Sequence, residues 1–391
     1  MKRRRILLAV TIDDSLQLLK GYPEYLVSKG WDVHIVSNEG PRLHQLQNTE
    51  GVWIHPIHMA RSPAPLRDFV ALLRWILLIW RVKPDAVSIG TPKAGLLGIA
   101  AAFLNRVPVR IYLLRGLRLE TITGVRRQLL VALERFSMRR ATHVLAVSQT
   151  LRDEALVMKL TQSEKIRVVG FGSSNGVDVS EFDPARFTEA SSTALAQQIG
   201  LRPDLSTIGF VGRLTRDKGL HVLAEALEIL ASKGVGCQLL VLGSVDDSSG
   251  KQILENLRVS NIPVVVVGYV VAPAQYYALM DVFCLPSFRE GFANVVLEAS
   301  SMEIPVVVSD ATGMLDTIQE GWTGTASPVG NAFLLAQSLR LIASKSESTL
   351  TWGGNGRQMV KDRYIRQNVQ ANYASDLDEL MHGAKQGERR R

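Results

Sequence analysis

The sequence predicts an α/β protein of two domains, each a parallel sheet covered by helices on both faces, with the two sheets facing a central cleft. Three observations carry this. At 391 residues the chain exceeds what one ordinary core accommodates, so two domains of somewhat under roughly 200 residues each follow. Short aliphatic runs alternate with longer helical patterns, and those runs are near-continuously apolar, as strands buried on both faces must be. The stretch FGSSNGVDVSEFDP, Phe171 to Pro184, is dense in Gly, Ser, Asn and Asp and separates two such series. The domains are placed at 1–180 and 181–365, with a C-terminal helix near 366–385 packing back on the first.

In the first series the strands are Ile6 to Val10, Asp32 to Ser37, Ala86 to Ile89, Arg110 to Leu113, His143 to Val147 and Ile166 to Val169. Helical patterns occupy Leu16 to Lys29, Leu66 to Trp80, Gly95 to Asn105 and Gly124 to Arg140. In the last of these, Val125, Leu129, Ala132, Leu133 and Phe136 share one helical face, which reads as an ordinary core-packing stripe, with arginines around it that suit an anionic membrane surface. The second series has strands at Thr207 to Val211, Gln238 to Leu242, Val264 to Val267, Val282 to Leu285 and Val306 to Val308. From Asn355 the chain reads as helices broken near Tyr364 and closing at Met381, followed by a frayed KQGERRR.

A hydrophobic fraction of 46% with 21% charged residues is that of a folded soluble protein. Cys237 and Cys284 both lie in apolar strand-like runs and read as buried, reduced, structural thiols, hence a cytoplasmic chain. The start, MKRRRILLAVTIDD, has a charged head, but its apolar stretch meets Asp13 and Asp14 too soon for a signal peptide and reads as a first strand. The longest nearly apolar run, Ala94 to Leu104, is about half of what a bilayer crossing needs. Residues 1–170 hold 26 Lys+Arg against 13 Asp+Glu, and residues 171–391 hold 19 against 24, so balances of +13 and −5 make up the net +8. The basic half is therefore suited to an anionic partner, nucleic acid or a phospholipid surface. No zinc-ligand cluster, Walker loop, Gly-x-Ser-x-Gly elbow or nucleic-acid signature is present.

Candidate chemistry sits where strands end. FVGRLTRDKGL, Phe210 to Leu220, follows a strand and precedes a helix, so Arg213 and Lys218 occupy the kind of loop where open α/β sheets bind ligands. With a helix amino end beside them they suit a phosphate; two solvated loop cations is the alternative. PSFREGFANVVLE, Pro286 to Glu298, repeats the arrangement, with a helix beginning at Phe292 or Ala293, Gly291 allowing close approach of a ligand, and Glu290 outside the helix. Glu298 lies about one and a half turns inside it. Carboxylates so placed suit two ends of a bound nucleotide-sugar, one taking sugar hydroxyls and one the ribose diol, better than an acid/base pair flanking one bond; alone, Glu298 reads as a solvent-facing helical residue. In the first half TIDDSLQLLKG with Ser15, TPKAG with Lys93 and LLRGLRLE with Arg115 also follow strands, and Arg115 is either a cation near phosphate or acceptor or one more surface arginine.

Together GRLTRDKG, PSFREGFANVVLE and GSSNGVD, in the second half and its approach, resemble the retaining family 4 glycosyltransferases of the GT-B fold, two Rossmann-like domains. SLQLLKG, KGWDVHIVS, TPKAGLLG and RGLRLET in the first half resemble the branch that builds bacterial capsule, O-antigen and other surface polysaccharides. The resemblance implies transfer of a hexosyl or N-acetylhexosaminyl group, with retention, from a nucleoside-diphosphate sugar, UDP-linked, to a lipid-linked or saccharide acceptor. It implies a donor site in which Arg213 and Lys218 hold the diphosphate, Glu290 the sugar hydroxyls and Glu298 the ribose, with backbone groups from Gly291 through Phe292 and Ala293 to Asn294 around them. Glu290, Arg213 and Lys218 carry the catalytic expectation, and Ser15, Lys93 and Arg115 the acceptor side. No metal or other cofactor is expected, since protein cations can neutralise the leaving diphosphate. Partners are then the nucleotide-sugar, the acceptor and an anionic membrane surface met by the basic half, without nucleic acid; the location is cytoplasmic, peripheral on the inner face of the plasma membrane. The chain departs from the family at Arg115, where many members carry histidine, and at Asn331, where an acidic residue is frequent. A nucleotide-sugar epimerase of similar fold and a non-catalytic basic membrane adaptor are the rival readings.

Overall fold

The computed structural model describes residues 3–60, 62, 64–245, 248–259, 262–343, 349 and 351–389. It forms two compact units, one comprising Met1–Asn175 with Gln367–Arg391 and the other Gly176–Arg366. The first unit contains strands β1 (Arg4–Ala9), β2 (Trp31–Ser37), β3 (Val52–Pro56), β4 (Ala86–Gly90), β5 (Val109–Leu114), β6 (His143–Ala146) and β7 (Ile166–Val168). Its helices are α1 (Tyr22–Ser28), α2 (Pro41–Leu46), α3 (Pro65–Val82), α4 (Pro92–Leu104), α5 (Gly124–Arg140) and α6 (Gln149–Val157). The second has β8 (Ser206–Val211), β9 (Cys237–Leu242), β10 (Val264–Gly268), β11 (Val282–Leu285), β12 (Val306–Ser309) and β13 (Gly324–Ser327). Its helices are α7 (Glu189–Ile199), α8 (Leu220–Ser232), α9 (Ser248–Val259), α10 (Ala274–Tyr277), α11 (Asn294–Ser301), α12 (Ala332–Ala343) and α13 (Trp352–Arg363); α14 (Arg366–Arg389) then returns to the first unit.

The sheets run β3-β2-β1-β4-β5-β6-β7 and β10-β9-β8-β11-β12-β13. Every pairing is parallel, with β1 beside β4 and β8 beside β11. Chain order reverses at those two places, which makes them the topological switch points of doubly wound sheets. Central strands are apolar throughout because helices cover both faces: Ile6, Leu7 and Leu8 in β1 and all of Val282–Leu285 in β11 are buried. Cys237 and Cys284 are free and buried, and burial pushes both thiols up.

Three expectations need correction. The run Leu16 to Lys29 is not one helix: a 3-10 turn, Asp13–Leu19, and α1 are separated by Gly21, whose φ of 79° is left-handed backbone open to glycine. The last helix does not close at Met381: α14 continues to Arg389, across Gly383 and Gly387, and the final two residues of KQGERRR lie outside the described residues. The helix is fixed to the first unit by Arg4–Asp378 and Arg167–Asp376, both at 2.6 Å, and by Tyr373 donating to the Ser173 carbonyl at 3.0 Å.

The third concerns α5. Its apolar stripe faces outward, with Val125, Leu129 and Phe136 all exposed, while Glu134, Ser137 and Met138 are buried. A polar pair explains the reversal. The Tyr112 ring fills the space over Gly95, where a Cβ would lie 2.4 Å from its Cε2, and its hydroxyl donates to Glu134 Oε2 at 2.5 Å. Burial pushes the Glu134 carboxyl up to about 7 from its ordinary 4.5, against the lowering effect of the Tyr112 hydroxyl. Between pH 4.5 and 7 the folded protein therefore holds a proton that the unfolded chain has released, so stability falls as pH rises through this window and levels above it. Glu134→Gln should abolish that slope and raise stability above pH 7 by about 1–3 kcal/mol. Melting temperature against pH reads this directly, and an unchanged slope would mean that Glu134 does not hold its proton.

Candidate active site

The loops leaving β8 and β11 at the second unit's switch point are the ones that carry GRLTRDKG and PSFREGFA. They interlock through glycine. Gly219, the N-cap of α8, has φ 73°, and a Cβ there would lie 1.9 Å from the Pro286 carbonyl oxygen. The Phe288 N–H donates to the Asp217 carbonyl at 2.8 Å, and Glu290 N–H to the Thr312 carbonyl at 2.9 Å. From the other side Gly313, φ 74°, leaves room for the backbone oxygens of Glu290 and Gly291, each about 2.5 Å from where its Cβ would stand.

This packing gathers charge. Lys218 Nζ donates to Glu290 Oε1 in a short ion pair, both side chains under 20% exposed, and the same carboxylate oxygen accepts from Ser287 Oγ at 3.0 Å. Next to it Arg289 Nη2 pairs with Asp217 Oδ2 at 2.8 Å. Burial works to raise the Asp217 carboxyl, but the Thr215 hydroxyl and the charges of Arg289, Lys218 and Arg213 outweigh it and hold the group below its ordinary value. Arg213 itself is exposed on the loop. Two carboxylates thus orient Lys218 and Arg289 at strand ends, with Arg213 near enough for its charge to act on Asp217, and an incoming anion would shift those pairings rather than meet bare charge.

Glu298 lies in α11, which starts at Asn294, slightly later than the sequence suggests. Tyr277 at the end of α10, fully buried, donates its hydroxyl to Glu298 Oε2 at 2.9 Å. That bond fixes the carboxylate's orientation. The N-cap residue Ala293 supplies no side-chain acceptor to the first turn of α11. Phe292 is buried against Tyr364, with ring centroids 5.5 Å apart, so its side chain packs in the core and only its backbone remains for a ligand. Asn331 caps α12, its Oδ1 accepting from Leu334 N–H at 3.0 Å, which an acidic residue would do as well.

Residues expected on the acceptor side gather around the first unit's switch point with different roles. Thr11 and Thr91 hydroxyls lie 2.8 Å apart, joining the loops after β1 and β4. Ser15 is half-buried in the 3-10 turn that follows. Lys93 is paired with Asp68 at 2.8 Å and ties the amino end of α4 to that of α3. Arg115 turns inward. Its Nη2 donates to the Leu18 carbonyl at 3.3 Å, whereas Nε and Nη1 are buried without a partner. They border a cavity of about 30 Å³ lined by Tyr22, Ser88, Gln370 and Tyr373, among others, large enough for one or two waters. Burial pulls the guanidinium down to about 10, partly offset by Tyr373.

Asp217, Ser287, Arg289 and Tyr277 were not singled out from the sequence. Asp217 and Arg289 directly adjoin Lys218 and Glu290, and charged neighbours of a loop motif were the available signal. Tyr277 lies 21 residues before Glu298, and nothing local connects them. Among the described residues no group of three or more His, Cys, Asp or Glu could hold a metal ion.

Residues 206–366 match the family described as Glycosyl transferases group 1, and residues 21–172 the Glycosyl transferase 4-like domain. The Staphylococcus aureus capsular polysaccharide biosynthesis glycosyltransferase CapM is 37% identical over 94% of this chain and 95% of its own. The chain belongs to this glycosyltransferase family. An Escherichia coli relative, UDP-Gal:alpha-D-GlcNAc-diphosphoundecaprenol alpha-1,3-galactosyltransferase, is 25% identical over 74% of each chain. Among solved structures, a glycosyltransferase from Rickettsia africae superposes with a TM-score of 0.78 at 19% identity, covering 97% of this chain and 99% of its own. The Anabaena HepE complex with UDP and glucose gives 0.77 at 18%, covering 96% and 100%. The glycosyltransferase thus has the GT-B fold, in two Rossmann-like units.

Proposed function

We propose that this glycosyltransferase moves a sugar, with retention of configuration, from a UDP-linked donor held on its second unit to a lipid-linked or saccharide acceptor in bacterial surface polysaccharide synthesis. The observation that carries the donor site is the placing of Arg213, Lys218 and Arg289 with Glu290 in two interlocked loops at a switch point, beside the start of α11. The S. aureus and E. coli relatives, named for capsule synthesis and for a diphosphoundecaprenol-linked substrate, support the acceptor class. HepE, crystallised with UDP and glucose, supports the donor class.

In this reading Arg213 and Lys218 take the diphosphate, and the bond from anomeric carbon to phosphate oxygen loosens as they take up leaving-group charge. Lys218 has three N–H donors, so it can reach a phosphate while keeping Glu290. Held by Lys218 and Ser287, Glu290 is oriented to accept from a sugar hydroxyl. Glu298, oriented by Tyr277, accepts from the ribose. The acceptor hydroxyl attacks from the face the diphosphate leaves, and a departing phosphate oxygen takes its proton, so no protein nucleophile is needed. No resident metal is required, because the cations carry the leaving group. Ser15 and Lys93 remain acceptor-side candidates on the first unit, Lys93 after release from Asp68, while Arg115 would act from below by fixing the loop after β5.

The two carboxylates give the test. Glu298→Gln should weaken UDP binding by roughly 10- to 150-fold, a charge-assisted hydrogen bond being worth roughly 1.5–3 kcal/mol, and Glu290→Gln should slow transfer more than it weakens UDP. Calorimetric titration and initial rates separate them; unchanged UDP affinity in Glu298→Gln would reduce that residue to a structural partner of Tyr277. The positive balance of the first half would draw the enzyme to the anionic inner face of the plasma membrane, as a peripheral protein of the cytoplasm.

A further inference from the structure

One helix of the first unit is apolar on two sides. α3 buries Ala71, Trp75, Ile79 and Val82, yet its opposite side carries Leu66, Phe69, Val70, Leu73, Leu77 and Trp80, each 44–85% exposed. On an α-helix these six positions fall within a stripe about 100° wide. Arg67, Arg74 and Arg81, all exposed, recur at a spacing of seven along one edge of that stripe. The helix's single acid, Asp68, lies off the stripe and is neutralised by Lys93.

α5 repeats the design. Its exposed Val125, Leu129 and Phe136 stand among exposed Arg126, Arg127, Arg139 and Arg140, and its single acid, Glu134, is buried. α4 packs against both helices and ends in exposed Phe103 and Leu104. The Arg140 guanidinium lies 4.6 Å from the Phe103 ring centroid and 5.7 Å from that of Phe136, which joins the α4 and α5 portions.

We infer that this face of α3 and α5 docks on an anionic phospholipid bilayer by inserting apolar side chains into the interface, with charge attraction as an addition. This rests on the lipid-linked acceptor proposed above, to which it would bring the enzyme. Charge complementarity selects the occupant: every exposed charged residue of α3 and α5 is arginine, which matches anionic headgroups. A second copy of the chain would set arginine rows against each other, and the mostly aliphatic rows offer little for a nucleic-acid base to stack on. α3 lies in the interface and does not cross it, since no described helix is long and apolar enough for that.

The test is flotation of the full chain with vesicles of phosphatidylglycerol and phosphatidylethanolamine, beside pure phosphatidylcholine, at 0.1 M and 1 M salt, where charge is screened within roughly 10 Å and 3 Å. The wild type should float with the anionic vesicles and stay largely bound at 1 M salt. Leu73→Glu with Leu77→Glu, both exposed and outside the donor site, should reduce partitioning on the order of tenfold or more while stabilisation by UDP is unchanged. Complete release at 1 M salt would mean that charge alone binds and would overturn the insertion. Flotation equal to wild type in the double variant would overturn it too, as would a wild-type dimer that the variant dissolves. If wild-type protein ignores vesicles but is stabilised by UDP, docking fails and the transferase reading stands; flotation without any response to UDP or UDP-sugars is the reverse.

Discussion

Lys218→Ala is expected to slow sugar transfer by roughly 30- to 900-fold, the equivalent of about 2–4 kcal/mol of transition-state stabilisation. The substitution does two things at once. It removes a cation from the leaving diphosphate, and it strands Glu290, whose carboxylate is 14% exposed and paired with Lys218. Stranding a half-buried charge has its own cost, so the single variant does not separate catalysis from structure. Comparing Glu290→Gln with the double variant Lys218→Ala, Glu290→Gln does, because neither leaves a stranded carboxylate. If Lys218 serves the leaving group, the double variant is much slower than Glu290→Gln alone. Equal rates in the two would assign Lys218 to Glu290 alone.

Gly219→Val should severely destabilise the second unit. The position combines a φ of 73° with a Pro286 carbonyl oxygen 1.9 Å from any Cβ, so the new side chain strains the backbone and drives the two donor loops apart. A loss of roughly 3 kcal/mol or more is expected, a fall in melting temperature of about 6–12 °C for a unit of this size. UDP affinity should fall with it, since the pairs Lys218–Glu290 and Arg289–Asp217 both bridge the same two loops. A variant that melts and binds like the wild type would show that the loops are not held together there.

Those loops also show what the sequence could and could not reveal. Strands β8 and β11 are apolar because both faces are covered, so their ends, and with them the placement of Arg213, Lys218, Glu290 and Gly291, are readable from composition alone. Two of the four edge strands were not: VWIHP of β3 and GTAS of β13 are partly polar and form no apolar run, unlike the edge strand VVVVG of β10. The pairing of Lys218 with Glu290 joins residues 72 apart and depends on β8 and β11 being neighbours, which chain order does not state. In α5 periodicity identified the apolar stripe but not the side it faces, since the buried side is set by a Tyr112–Glu134 bond that hydrophobic counting cannot see. Arg115 reads as a cation at a strand end, but its side chain runs under the loop toward Leu18 and toward Tyr373 of α14, neighbours far from it in the chain.

The central claim, a donor site for a nucleotide-sugar on the second unit, is tested most directly by incubating the wild type and Lys218→Ala with a panel of UDP-sugars and a lipid-linked or saccharide acceptor, and measuring free UDP. The account predicts UDP release by the wild type that depends on the acceptor and is strongly reduced in the variant. An altered sugar with no UDP released, or wild-type turnover in Lys218→Ala, would contradict it.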